Sequence, residues 1–273
     1  MSPSVDAQMR DGGRVERPYA AVLVGAVSVG MLLVLWEVIG RREGSALSSV
    51  MPPPSVFLAD IAETDFRIGL GQNAPTVAQC VVSTLLRVFT GMMLSLVAAL
   101  ATGALLSLSR TARWLLTPVI NLLAPIAPIA WVPIALVLFG ITNQAAVFVV
   151  FMGVYFVLTL ATLAEIARVP APYQALAHNF GAGRWQVFWF VTLPAVLPGV
   201  FTLLRVNFMA AWMSVLVAEM VGLRDGVGAV LMMGRNLFNN NLIMFGMLLI
   251  GTCGFAIDRL LGLCQRKLLW WAS

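Results

Sequence analysis

Charge is what this sequence has least of. Asp, Glu, Lys and Arg make up 11% of its 273 residues, against about 25% in an ordinary soluble domain. Hydrophobic residues make up 60%, too many to hide inside one water-soluble core. Histidine occurs once, at His178, so no His pair or His/Cys/carboxylate cluster can be proposed as a metal site. The three cysteines, Cys80, Cys253 and Cys264, share no CxxC spacing and read as packing residues, not as a disulfide or metal framework. No GxxxxGK[ST] stretch occurs, so the chain cannot hydrolyse ATP through a phosphate-binding loop of its own. An intramembrane enzyme would need a nucleophile with a base, or a carboxylate pair, deep in the apolar segments. The only histidine lies in a polar loop, which counts against that reading.

What the chain does have is apolar length. Its mean hydropathy is +0.92, and a helix needs about 20 mainly apolar residues to cross the hydrocarbon. That template fits near 20–39, 84–108, 117–140, 145–166, 195–221 and 242–263. The expectation is an all-α, polytopic membrane protein with six transmembrane helices. Its net charge of +5 then reflects loop bias and not nucleic-acid binding. With the N-terminus inside, the inside loops hold ten Lys and Arg and the outside loops five. Both termini are therefore expected in the cytoplasm.

In chain order, residues 1–18 lack a hydrophobic pattern and read as a disordered tail. The first span is retained, since no small-x-small cleavage site follows it. A Pro-rich segment, Met51-Pro52-Pro53-Pro54-Ser55, leads into a short interfacial helix with Val56, Phe57 and Ile61 on one side. The second span carries Gly91 and Gly103, small residues that let helices approach closely. Arg87, near its start, is expected to snorkel to the interface. The third span holds Pro118, Pro125, Pro128 and Pro133; so interrupted a helix survives in lipid only if neighbours or a water-filled cavity satisfy its freed backbone groups. In the fifth span Arg205, Trp212 and Glu219 recur every seven residues and share a stripe. A charge in a span faces the bundle interior or a watery path, so Glu219 is expected to gate or order the outer mouth, with an interhelical salt bridge or a carbonyl-bonded structural charge as the alternative. Arg205 is expected to stabilise helix packing or an anionic cargo, with an interhelical salt bridge as the alternative. The last span ends in the anchor Arg266-Lys267 and Trp270-Trp271.

Between spans four and five lies a polar loop exposing Tyr173, Ala177, Phe180 and Trp185, aromatic and apolar groups that a partner should cover. Gly181, nine further residues and then Val191-Thr192-Leu193-Pro194 resemble the EAA loop of the permease subunits of bacterial ATP-binding-cassette importers. In that family the loop forms the coupling helix that docks in a groove of the ATPase. Met51 to Ser55, the run from Pro125 to Pro133 ending in Phe139-Gly140, and Ala218-Glu219 followed by Gly226-Val227-Gly228 are similar to the nitrate/sulfonate/taurine branch. Two positions depart: Ala175 stands where the loop's eponymous Glu belongs, leaving His178 or Gln174 as stand-ins, and Ala124 stands where an Arg often precedes the prolines.

The resemblance implies a type I importer fold, called MetI-like, and no catalytic or metal site. It implies a tail at 1–18, a first helix at 19–40, a periplasmic segment at 41–83, a permease core at 84–268 with its coupling loop at 168–194, and a tail at 269–273. Coupling residues would be Tyr173, Ala177, Phe180, Gly181, Ala182 and Trp185. A translocation pathway would use Pro128, Trp131, Pro133, Arg205, Trp212 and Glu219. The chain itself would carry no cofactor, with ATP and Mg in the partner ATPase. Implied partners are two such ATPases, an extracytoplasmic solute-binding protein, a second copy of the permease and the lipid of the bacterial inner membrane. The implied cargo is a small anion such as nitrate, a sulfonate or bicarbonate, with a vitamin precursor as the alternative. A channel or regulatory membrane partner is the rival reading, distinguished by whether uptake needs ATP.

Overall fold

A computed structural model describes residues 18–41, 51–63 and 75–268. The expected N-terminal tail and the Trp270-Trp271 anchor lie outside these residues. The helices are α1 (Pro18–Gly40), α2 (Pro54–Glu63), α3 (Val77–Leu108), α4 (Arg110–Leu123), α5 (Pro128–Phe139), α6 (Asn143–Arg168), α7 (Ala171–Asn179), α8 (Arg184–Val187), α9 (Leu193–Met220), α10 (Val227–Asn236) and α11 (Asn240–Leu268). A π-helical turn, Phe188–Thr192, joins α8 to α9. Among the described residues there is no strand.

The chain divides into two units, residues 1–60 and 61–273, each described by itself. In the first, the Pro-rich segment is fastened to the end of α1. Glu37 accepts hydrogen bonds from the Ser55 amide at 3.1 Å and from the Ser55 hydroxyl, while Arg41 donates to it at 2.6 Å. Phe57 is fully buried with its ring 5.7 Å from Trp36. Val56, expected on the same side, is instead half exposed, because one residue along a helix turns the side chain by about 100°.

The second unit is built on the seam between α3 and α6. Gly91, Ser95, Ala99 and Gly103 recur every four residues and are buried, so they line one face of α3. A Cβ at Gly91 would come within 2.6 Å of Val150 Cγ1, and one at Gly103 within 2.8 Å of Thr162 Cγ2. Lipid tails are as apolar as leucine, so helices associate in a bilayer through close packing and not through water exclusion. The small residues supply that closeness. Ser95 spends its hydroxyl on the carbonyls of Gly91, at 2.8 Å, and Phe151, at 3.2 Å, and so adds no unsatisfied polar group to the seam. α9 lies against the same α6 and buries Val196, Val200, Phe208, Ala211, Trp212 and Val215 in a shared core.

The proline-rich third span is not one helix, and this corrects the expected span at 117–140. α4 and α5 meet at an angle of 101° across a break of four residues. Ala127, preceding Pro128, is extended at φ −60°, ψ 143°, the conformation a following proline enforces. Pro128 then sits at the first turn of α5, where its missing N–H costs nothing. Pro118 and Pro133 stay inside their helices. Among the described residues, four helical stretches are long and apolar enough to cross a membrane: Val77–Leu108, Asn143–Arg168, Arg184–Met220 and Asn240–Gln265. The expected six are reached only if the bent pair counts as one crossing and α1, Pro18–Gly40, as another.

The seam makes Gly91→Leu a severe test. Overpacking against Val150 is expected to cost about 1–3 kcal/mol and to lower the thermal midpoint of the purified protein in detergent. Gly251→Ala, where a Cβ meets nothing within 4 Å, should leave that midpoint unchanged or slightly raised.

Candidate functional site

Two features stand out from the apolar bundle: a buried ionic hub where α3, α6, α9 and α10 meet, and a run of exposed aromatic residues before α9.

The hub is centred on Arg87 of α3, only 3% exposed. Its Nη1 donates to Glu219 Oε1 at 2.7 Å and to the Asp225 carbonyl at 2.9 Å. Nη2 donates to Asp225 Oδ1 at 2.7 Å and to Asn143 Oδ1 at 2.6 Å, and Nε also donates to Asn143 Oδ1, at 3.0 Å. All three guanidinium nitrogens are therefore engaged, as a charge removed from water requires. Glu219, fully buried at the end of α9, accepts from Thr84 Oγ1 at 2.7 Å and from the Gly228 amide at 2.9 Å. Thr84 Oγ1 in turn accepts from the Val227 amide at 2.9 Å.

This arrangement explains why glycine flanks Val227. α10 begins after Gly226, which has no side chain with which to cap a helix. Its first two amides, Val227 and Gly228, are taken by Thr84 and Glu219 instead, and the carboxylate also meets the positive end of the helix dipole. Gly226 has φ +117°, and a Cβ there would overlap the Glu219 carboxyl. At Gly228 a Cβ would lie 2.6 Å from the Leu216 carbonyl oxygen. Both glycines are needed for the loop to close over the acid. Asp225 lies in that loop, outside the spans. Burial works to raise its carboxyl, but hydrogen bonds from Ser83 and Arg87 and the Arg87 charge hold it below its ordinary value.

Arg87 was expected to snorkel; it is instead buried, because two carboxylates and an amide side chain wait for it inside. Asn143, Thr84 and Asp225 are hub residues that no sequence motif singled out. The six pathway candidates do not converge. Glu219 belongs to the hub, while Arg205 lies four turns away on α9, half exposed and ion-paired to Asp258 of α11 at 3.3 Å. Trp212 is buried between them, its ring 6.1 Å from Phe208. Pro128 packs where α6 has Gly153, and Trp131 stacks on Phe156 with ring centroids 6.2 Å apart. Pro133 is exposed on α5.

The exposed segment is compact. α7 ends in a Schellman motif: Gly181 takes φ +82° and the Ala182 amide donates to the Ala177 carbonyl at 3.1 Å. Tyr173, Phe180 and Trp185 are exposed, Phe180 to 84%, and Ala177 is half buried. Trp189 and Phe190 are exposed as well, and their signal in the sequence was the unbroken aromatic run Phe188-Trp189-Phe190. Ala175, where an acid was expected, is exposed. The π turn follows directly, with the Leu193 amide donating to the Phe188 carbonyl five residues back. Pro194 has no N–H to continue an α-helical ladder, and the wider turn accommodates that loss.

The fold and these features define a class first: an all-helical, multi-pass membrane protein with a charged hub between spans and one aromatic face left bare. Residues 71–269 match the family described as binding-protein-dependent transport system inner membrane component, and the chain belongs to that family. It is similar to a putative ABC transporter permease protein of Methanocaldococcus jannaschii, 33% identical over 68% of this chain and 70% of the relative. It is also similar to the taurine transport system permease protein of Escherichia coli K12, 26% identical over 91% and 88%. The bicarbonate transport system permease protein of Synechococcus elongatus is 30% identical over 69% and 68%. Among solved structures, an inward-facing MetNI methionine ABC transporter has a TM-score of 0.54 at 20% identity, covering 68% of this chain and 94% of that one. An amino acid ABC transporter has a TM-score of 0.60 at 15% identity, covering 77% and 98%. These two likenesses concern the fold alone. The chain is a transport subunit and not an enzyme, and it is of the importer-permease type that its motifs resemble.

Removing one member of a buried pair strands the other, so Arg87→Ala is expected to cost about 3–5 kcal/mol. Arg205→Gln breaks a pair that water reaches and should cost about 1 kcal/mol or less; denaturation of both variants in detergent compares them. Asp225, held low, adds stability that is present above its ordinary value of 3.8 and is lost as pH falls through the lower folded value. Wild type is therefore expected to exceed Asp225→Asn in stability near neutral pH, with the gap closing as the solution is acidified below 3.8.

Proposed function

We propose that this chain is the permease subunit of an ATP-driven, binding-protein-dependent importer for a small anion of the nitrate, sulfonate or bicarbonate kind. The carrying observation is the bare aromatic segment, where Tyr173, Phe180 and Trp185 stand in solvent on short helices joined without a break to α9. Apolar surface of that kind marks a docking face. The partner is a cytoplasmic ATPase, which binds the ATP and Mg, with Ala177, Gly181 and Ala182 forming the close-packed turn of the docking helix. The names of the taurine and bicarbonate relatives support the cargo class.

In this reading the complex holds two permease copies, two ATPases and an outer solute-binding protein in the bacterial inner membrane, with both permease termini in the cytoplasm. Closure of the ATPases on ATP pushes the coupling loop, residues 168–194. The push passes along α9 and rocks the bundle between inward- and outward-open forms. Glu219 orders the outer mouth by holding the start of α10, and Arg205, midway along α9, meets the anion when its long contact with Asp258 opens. Pro128, Trp131, Pro133 and Trp212 line the moving parts of the path.

The complex reconstituted in proteoliposomes tests this. Phe180→Ala and Trp185→Ala each remove an aromatic anchor worth about 2 kcal/mol or more and should weaken ATPase binding about thirtyfold or more. Ala182→Cys should crosslink to a cysteine in the ATPase groove; an intact complex that never crosslinks there moves the contact elsewhere. Calorimetry on the co-purifying solute-binding protein identifies the cargo, and a neutral or cationic ligand overturns the anion assignment.

A further inference from the structure

A cavity of about 1040 Å³ lies away from the hub and takes no part in the mechanism above. It lies between the last turns of α3 and α6, the first turn of α4, and α8. Three arginines reach it, Arg110, Arg113 and Arg184, and no carboxylate lines it. Arg113 is steadied by a hydrogen bond from its Nε to the Leu106 carbonyl at 3.0 Å. Arg110 and Arg184 make no ion pair among the described residues. Three cations around one opening repel each other, and an anion seated between them relieves that repulsion. The rest of the lining is apolar, including Leu160, Leu163 and Phe188. Trp114, 71% exposed, stands at the rim, as tryptophan does at the headgroup level of a bilayer.

We propose that this cavity is a binding site for an anionic phospholipid, with the headgroup phosphate on the three arginines and the start of an acyl chain along Leu160, Leu163 and Phe188. A bare inorganic anion would satisfy the arginines but leave the apolar wall uncovered, and the cavity is far larger than phosphate. The site lies at the ends of the long apolar helices α3 and α6, and basic pockets between the ends of spans suit acidic headgroups. Because Arg184 and Phe188 flank Trp185, an occupied site braces the aromatic segment against the ends of α3 and α6. The assignment of the site does not depend on what docks on that segment.

Native mass spectrometry of the full chain, released from nanodiscs of mixed phosphatidylglycerol and phosphatidylcholine, reads out the bound lipid. The wild type is expected to retain phosphatidylglycerol and not phosphatidylcholine. Arg110→Gln and Arg184→Gln should each reduce retention about fivefold, and the triple variant with Arg113→Gln roughly a hundredfold. The two single variants change exposed side chains, so they fold even if the triple variant does not. The triple Arg→Lys variant should retain phosphatidylglycerol, since the charge is kept, and Arg224→Gln, outside the cavity, should behave as wild type. Equal retention in the Gln variants overturns the proposal. So does displacement of the lipid by excess inorganic phosphate, which would make this a free-anion site. Loss of lipid whenever the ATPase is added also overturns it, because the cavity would then belong to that partner.

Discussion

A guanidinium taken out of water must have nearly all of its donors satisfied or it destabilises the structure it sits in. Arg87 imposes that constraint on the end of the bundle where α3, α6, α9 and α10 meet. Its partners come from the first turn of α6, the last turn of α9 and the loop before α10, so none of these can shift independently without stranding a charge in a medium of low dielectric. The cost of error at this point fixes the register of α3 against its neighbours more sharply than the apolar seam does. Along that seam a rearranged contact costs a few methyl groups; at Arg87 it costs several kcal/mol.

The bundle is accordingly uneven along its length. The hub end is tied by short charge-assisted bonds. The middle is closed by the Gly91, Ser95, Ala99 and Gly103 face of α3. The other half carries the looser Arg205–Asp258 contact, a hydrogen bond from Gln265 to Thr202 at 2.8 Å and an open cavity. A body fastened at one end and loosely joined at the other is suited to bending about the fastened end, and the bare aromatic segment sits on the loose one.

Sequence patterns disclosed the parts that obey local rules. Apolar runs located α3, α6, α9 and α11, the spacing of Gly91 and Gly103 pointed to close packing, and Gly181 marked the turn after α7. The Ala218-Glu219 and Gly226-Val227-Gly228 pattern was visible as a motif, but not the reason for it, because Thr84 and Arg87 lie more than 130 positions away in sequence. For the same reason an arginine near a span's end looked free to reach the interface. The 101° bend between α4 and α5 was half legible. Four prolines announced an interruption, yet proline positions alone do not distinguish a kinked helix from two helices, since Pro118 and Pro133 were absorbed and only the Pro125–Pro128 stretch broke the chain.

The π turn at Phe188–Thr192 has a further consequence, which concerns angular phase. A turn closed by an i→i+5 hydrogen bond in place of the α-helical i→i+4 bond takes in one extra residue and so rotates everything before Phe188 relative to everything after Leu193. The direction in which Phe180 and Trp185 face is thus encoded by chain length as well as by side-chain chemistry. Substitutions in this segment preserve that angle, whereas loss or gain of a single residue swings the whole aromatic face by about 100° and leaves its composition untouched.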